Sequence, residues 1–299
     1  MNPIYAILLS LVPPIFYGMG NMMDNKLTRF GVFRRTSTLV FIGNTTTLLF
    51  LPLLLVFGPI SWPPVAMIPL LATVGIIEFY YLFPYYKSFK YLDTSVVAGL
   101  FSIAKVLTPI LAFFVLGEAL SAWQYLGFMI VIAAAVVLAL EKSKKIKINK
   151  GFWLMLFASV MIMSQVVVLA KISESMDWVS LFFWFAVMTT GASSSLLLWK
   201  ENRKNIMKAL RSRSFGSYVP ALLINEVFSS MAKLSLVFII TLLPVTLIEA
   251  GDAVQPILVL MMSYVAFKVF GIKVWEDKTP ILRKSICFAF MVLGIFMLV

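Results

Sequence analysis

Histidine is absent from the 299 residues, and cysteine occurs once, at Cys287. With no imidazole and a single thiol, the chain can build neither a disulfide framework nor a soft-metal site, and no metal or cofactor is expected. Charge is scarce as well: charged residues make up 13%, and the 13 Asp and Glu are outnumbered by 25 Lys and Arg. Hydrophobic residues reach 61% and the mean hydropathy is +0.98. So little polar surface cannot cover a soluble globule of this length, which predicts an integral membrane protein. The net charge of +12 does not point to nucleic acid. The basic residues lie in short clusters between apolar runs, and no folded basic domain is present. The start of the chain lacks the basic region and small-residue cleavage site of a signal peptide, so the first apolar run is expected to be retained as a helix.

A membrane-spanning helix needs about 20 mostly apolar residues. Ten runs qualify, at roughly 3–23, 36–57, 63–84, 94–117, 121–140, 151–170, 178–199, 217–240, 243–267 and 281–299. The connections are short, the longest falling near 201–216 and 268–280, and none holds a soluble domain. The basic stretch 141–150 (EKSKKIKINK) reads as a linker between two five-helix halves, residues 1–140 and 151–299.

Those halves resemble each other. Sliding Thr94–Leu111 by 147 positions onto Thr241–Leu258 places Pro109-Ile110-Leu111 on Pro256-Ile257-Leu258, Ser102 on Glu249 and Lys105 on Asp252. At an offset of 148, Gly43-Asn44-Thr45-Thr46-Thr47-Leu48-Leu49 falls on Gly191-Ala192-Ser193-Ser194-Ser195-Leu196-Leu197, and Glu78 falls within one residue of Glu226. An odd number of spans per half turns the second copy upside down. The predicted fold is therefore an all-α integral membrane protein of ten transmembrane helices in two inverted five-helix repeats, an architecture that belongs chiefly to transporters. Of the 25 Lys and Arg, 22 fall in alternate connections, and by the positive-inside rule those connections are cytoplasmic and both termini outside.

Chemistry must then reside in polar groups within the spans. A charge at the bilayer centre costs on the order of 2.5–3.5 kcal/mol on insertion scales, so such groups face a bundle interior or a wet cavity. The candidates are Glu78, Lys105, Glu226, Lys233, Glu249 and Asp252. Glu249, Asp252 and Pro256 share one face of the ninth span, and that proline would free the carbonyl of Asp252 beside its carboxylate. Ser102, Lys105 and Pro109 share the corresponding face of the fourth span. Lys105 and Asp252 either grip opposite ends of a polar or zwitterionic substrate or form a structural ion pair between the two helices. Glu226 and Lys233, seven residues apart, lie about 10 Å apart along the axis, so each needs a partner elsewhere. Glu226 either lines the site or sits near the headgroups. Tyr81 and Tyr85 are the tyrosines able to reach a cavity together with Glu78; the bland alternative makes that aromatic run an interfacial belt.

Gly18 to Asn21 (Gly-x-Gly-Asn) closes the first span, and Leu116-Gly117-Glu118-Ala119-Leu120, with Gln124 and Gly127, follows the fourth. With ten helices in two inverted halves, these features resemble the EamA-type family of the drug/metabolite transporter superfamily along essentially the whole chain. The resemblance implies export or uptake of a small metabolite or drug without an ATP-binding site, often with proton coupling or facilitated exchange, and termini in the cytoplasm. The second half departs from the family pattern: it lacks Gly-Glu after the ninth span and carries an insertion through residues 271–276.

Four span carboxylates against two lysines leave the expected cavity acidic and invite a bound proton. The function expected is secondary transport, by alternating access, of a small polar, zwitterionic or cationic metabolite, such as an amino-acid-like compound or a drug. It would be proton-coupled, with the protein multi-pass in the cell membrane. A facilitative channel or exchanger is the alternative. A membrane-embedded enzyme would want a nucleophile with a base or an HExxH-type metal motif, and none is present. A non-transporting assembly subunit would want an appended soluble domain. The partners expected are a small-molecule substrate and membrane lipids, and a homodimer is compatible with the sequence.

Overall fold

The computed structural model describes residues 3–28, 33, 35–92, 97, 100–101, 105–140, 150–255, 258, 261–262, 268 and 281–298. Ser102, Pro256, the linker at 141–149 and the insertion at 271–276 lie outside the described residues. Among the described residues every regular element is helical. Five stretches are long and apolar enough to cross a membrane: Thr36–Val56, Val65–Ser88, Lys150–Ser173, Trp178–Leu198 and Phe215–Ile240. Ala122–Ala134 and Ile286–Phe296 are shorter apolar helices.

Proline and glycine punctuate the path. The first span is two helices, α1 (Pro3–Ser10) and α2 (Val12–Leu27), because Pro13 and Pro14 cannot continue α1 but suit the first turn of α2. Helix α2 runs to Leu27, past the boundary expected at 23, and so takes Asp24 into the bundle. Helix α3 (Thr36–Thr46) tightens into a 3-10 stretch, Thr47–Val56. Here Thr45 and Thr46 turn their hydroxyls back to the carbonyls of Phe41 and Ile42, a bond that bends helices, and Pro52 follows. Helix α4 (Ile68–Ser88) starts on Pro69 and continues through Pro84. A 3-10 turn at Lys105–Leu107 leads into α5 (Thr108–Leu116), with Pro109 in its first turn, so the helix break expected at Pro109 is a change of helix type. Gly117 ends α5 at φ 73°, a left-handed conformation that glycine adopts without strain.

Helices α6 (Ala122–Leu140), α7 (Lys150–Ser173) and α8 (Trp178–Ser194) follow. The Asp177 side chain caps α8 by accepting from the Ser180 amide at 2.9 Å. The connection expected at 201–216 contains a helix, α9 (Lys200–Leu210). It is amphipathic, with Ile206 and Ala209 buried beneath an outer face of Lys, Arg and Asn, the pattern of a helix lying in the membrane interface. Helices α10 (Phe215–Ile240), α11 (Val245–Asp252) and α12 (Ile281–Phe296) complete the described chain.

The helices pack in pairs distant in sequence: α2 along α10, α4 between α7 and α8, α3 on α8, α1 on α11, and α6 on α12. Lipid supplies no hydrophobic drive between helices, so close approach at small residues has to supply attraction through contact. A Cβ on Gly75 of α4 would stand 2.7 Å from the Met188 backbone of α8, and one on Gly127 of α6 would stand 2.6 Å from the Gly294 carbonyl of α12. Leu49, Leu53, Phe113 and Phe114 face outward, and Trp62, Trp123, Trp153 and Trp199 are exposed as well. The chain is an integral membrane protein.

Substituting Gly127→Val should lower the melting temperature of the detergent-purified protein, overpacking of this kind costing about 1–3 kcal/mol. Gly58→Ala, with nothing within 4 Å of its added Cβ, should leave it unchanged. Equal melting of the two variants would refute the α6–α12 contact.

Candidate functional site

Residues of α2, α3, α4, α7, α10 and α11 surround a cavity of about 940 Å³ of empty space, its open mouth included. Its walls are aromatic and aliphatic, with Tyr17, Tyr81, Phe101, Met163 and Leu236 among them. Against this apolar lining stand three polar groupings, and each is explained by where its helix ends.

The first grouping joins the two halves. Lys105, in the 3-10 turn ahead of α5, is 1% exposed and donates through Nζ to Glu249 Oε2 at 2.5 Å and to Asp252 Oδ2. The amphipathic spacing of α11 sets Glu249 and Asp252 on one face, three residues apart, so one ammonium reaches both. Lys105 thus meets the residue onto which the 147-position offset maps it. Both its carboxylate contacts are made within the protein, so Lys105 and Asp252 form an ion pair between their helices.

The second grouping is Lys233 of α10 with Glu78 of α4, Nζ to Oε1 at 2.5 Å. Gln165 of α7 adds its amide nitrogen to Glu78 Oε2 at 3.1 Å and to the Val74 carbonyl at 2.9 Å. Lys233 lines the cavity, whereas Glu78 is 1% exposed and stands behind it. A buried ion pair of this kind survives because each charge has its partner; removing one leaves the other uncompensated.

The third grouping was hidden from sequence reasoning. Asp24 of α2, 8% exposed, accepts from the Asn225 side-chain nitrogen at 3.0 Å. The Tyr86 hydroxyl lies 3.3 Å from its Oδ1, and the Tyr85 hydroxyl lies 3.0 Å from its Oδ2 and 2.8 Å from Asn21 Oδ1. Asn21 and Asp24 sit at i, i+3, a spacing that marks one helix face, but the expected span boundary at 23 left Asp24 in the connection. Glu226 is close by along the same cavity. It is 6% exposed, accepts a long 3.4 Å contact from Thr47 Oγ1, and has its Oε1 only 2.9 Å from where a Cβ on Gly43 would stand. Glu226 lies within α10 and lines the cavity.

Lys105, Glu226, Lys233, Glu249, Asp252, Tyr81 and Tyr85 therefore all line the cavity, and Glu78 joins it only through Lys233. Helix α4 continues to Ser88; Tyr81, Tyr85 and Tyr86 line the cavity, while Tyr80, 54% exposed, faces outward. Gln255 also lines the cavity, a residue that sequence reasoning passed over. Asn44 of α3, also in the cavity lining, donates to Ser193 of α8 at 2.7 Å. Glu118, the acid of the Leu-Gly-Glu stretch, caps α11. It accepts from the Val245 amide at 2.8 Å, the Thr246 amide at 3.3 Å and the Thr246 hydroxyl at 3.0 Å. A carboxylate at a helix N-terminus satisfies free amides and meets the positive end of the helix dipole.

Counting Asp24, Glu78, Glu226, Glu249 and Asp252 against Lys105 and Lys233, the site is formally three charges negative when all are ionised. Among the described residues no group of three or more His, Cys, Asp or Glu has the geometry to hold a metal ion.

Glu78→Gln should destabilise the protein by roughly 3–5 kcal/mol, the cost of leaving a buried charge unpaired. Adding Lys233→Met should recover much of that loss. Thermal melting of single and double variants checks it, and additive effects would overturn the pairing.

Residues 4–140 match the model of the EamA-like transporter family. A crystal structure of a protein superposes with a TM-score of 0.67 over 98% of this chain and 95% of its own, at 16% sequence identity. At that identity the likeness establishes a shared fold alone. No curated protein matches by sequence.

Proposed function

From the match of residues 4–140 to the EamA-like transporter family, we propose that the protein is a secondary transporter of the drug/metabolite transporter superfamily, moving a small cationic metabolite across the cell membrane by alternating access, in exchange for protons. The observation that carries this reading is the surplus of carboxylates around a cavity whose cations are already engaged. Lys105 is held by two acids and Lys233 by one, so an anionic substrate finds no free ammonium, whereas a cation finds Glu226 without an ion-pair partner among the described residues. Members of the EamA family are transporters.

The cavity lies between helices of the two halves, where inverted-repeat carriers hold their substrates. Contacts between positions matched by the offset favour the ten-span, two-repeat reading. Lys105 touches Asp252; α3 packs on α8; and α2 against α10 mirrors α4 against α7. Arg35 reaches Glu201 at 2.6 Å, bringing together two of the basic connections that the charge bias places in the cytoplasm. A facilitative exchanger without proton coupling is the second reading, and the test below separates the two.

In proteoliposomes, uptake and counterflow of a labelled metabolite panel should show a saturable cationic substrate whose accumulation follows an imposed pH gradient. Asp252→Asn and Glu226→Gln should each lower the gradient-driven rate about tenfold or more. Saturable exchange indifferent to the gradient would leave the exchanger reading, and no exchange of any compound would overturn transport.

A further inference from the structure

The acids of the cavity fall into two groups. One is Asp24 with Glu226. Asp24 is held only by uncharged groups, the Asn225 amide and two tyrosine hydroxyls, and Glu226 only by a long contact from Thr47. No lysine or arginine comes within ion-pair distance of either among the described residues. Two buried carboxylates without a counter-ion are costly unless a cation or protons join them. In the second group Glu249 and Asp252 share the single ammonium of Lys105, leaving one negative charge in excess. Among the described residues Asp252 Oδ1 has no hydrogen-bond partner. Gln255, 4% exposed, lies three residues on and lines the same cavity, and its side-chain nitrogen likewise has no partner among the described residues. The two ends of a glutamine amide exchange by a simple flip, so Gln255 can present its oxygen as readily as its nitrogen. Much of the remaining lining is aromatic and aliphatic.

The imbalance has a sequence origin. At the offset of 148 that aligns the Gly43 and Gly191 runs, Glu78 falls on Glu226 and Tyr85 falls on Lys233. Glu78 therefore receives Lys233 from the opposite half, while the position that would serve Glu226 in the same way carries tyrosine. One of two equivalent carboxylates is neutralised by the protein, and the other is left to the cavity.

We infer that the cavity is shaped for a short aliphatic diamine, one ammonium held by Glu226 beside Asp24 and the other by Asp252 beside Gln255, with the methylene chain against the aromatic wall. This rests on the transporter reading and narrows its substrate class. A monoamine satisfies one group only, and a zwitterionic amino acid brings a carboxylate that meets acids in both groups. Two ammonium groups offset two of the three surplus charges and leave one carboxylate free to take the exchanged proton.

Binding to the purified full-length protein in detergent is measured by calorimetry for n-butylamine, 1,4-diaminobutane, 1,6-diaminohexane and lysine. One of the diamines should bind about tenfold or more tighter than the monoamine, because the second ammonium binds intramolecularly once the first is seated. Lysine should bind more weakly than that diamine. In Glu226→Gln the ratio of diamine to monoamine affinity should fall to about one, whereas Glu201→Gln, at an exposed position, should keep the parent ratio. Equal affinity of monoamine and diamine for the parent, or lysine matching the better diamine, would overturn the inference. If another metabolite exchanges saturably in proteoliposomes while no diamine binds, the diamine fails and the transporter stands. If a diamine binds but no compound crosses, the transport reading falls and the site assignment stands.

Discussion

A bilayer interior tolerates a charge only when the protein answers it, and the arrangement of this chain follows from how its buried charges are answered. Lys105 is the most demanding of them, since it sits 1% exposed in a short 3-10 turn. Two carboxylates from the opposite half meet it, and that contact determines where α11 lies against the first half. Lys233 and Glu78 impose the same condition between α10 and α4. The rest of the packing is permissive by comparison: small residues let helices touch, and apolar side chains turn to lipid or to one another. Where an acid goes unanswered by a lysine, at Asp24 and Glu226, the cavity opens beside it.

Much of this was legible in the sequence. The scarcity of charge identified the membrane class, and the offset near 148 brought forward residues that prove to be neighbours, Lys105 with Asp252 and α3 with α8. Six of the eight side chains singled out for chemistry are charged, because charge in an apolar span has few other reasons to be there. What escaped notice did so for physical reasons. Asp24 lies near the end of α2, where apolar run length is a poor guide to helix length. Gln255, Gln165 and Asn225 are polar but uncharged, and amides are too common in membrane helices to stand out until their neighbours are known. The tyrosines of α4 resembled an interfacial belt because that helix was drawn four residues too short. Helix α9 carries enough charge to look like a loop, and only the spacing of Ile206 and Ala209 discloses its buried side.

Positions matched by the offset are unlike in charge: Glu78 meets Lys233, whereas Tyr85 stands where a lysine would serve Glu226. In the proposed carrier, that inequality decides where a passenger can bind. Identical charges would be a hindrance, since they would make every acid answer its own lysine and leave nothing for a passenger. The exchange of a lysine for Tyr85 in the first half breaks that balance without disturbing the helix.

Glu118 binds the turn after α5 to the first turn of α11 through two amides and a hydroxyl. At the other end of that short helix are the two acids that hold Lys105, whose own turn leads directly into α5. The chain therefore closes a loop on itself: α5, its exit turn, α11 and the lysine turn form a bolted frame, stiff at both corners. A frame of that kind cannot shear one member past another. It tilts whole, like a sash in its casing, and any motion that uncovers the cavity on one face must swing all four pieces together.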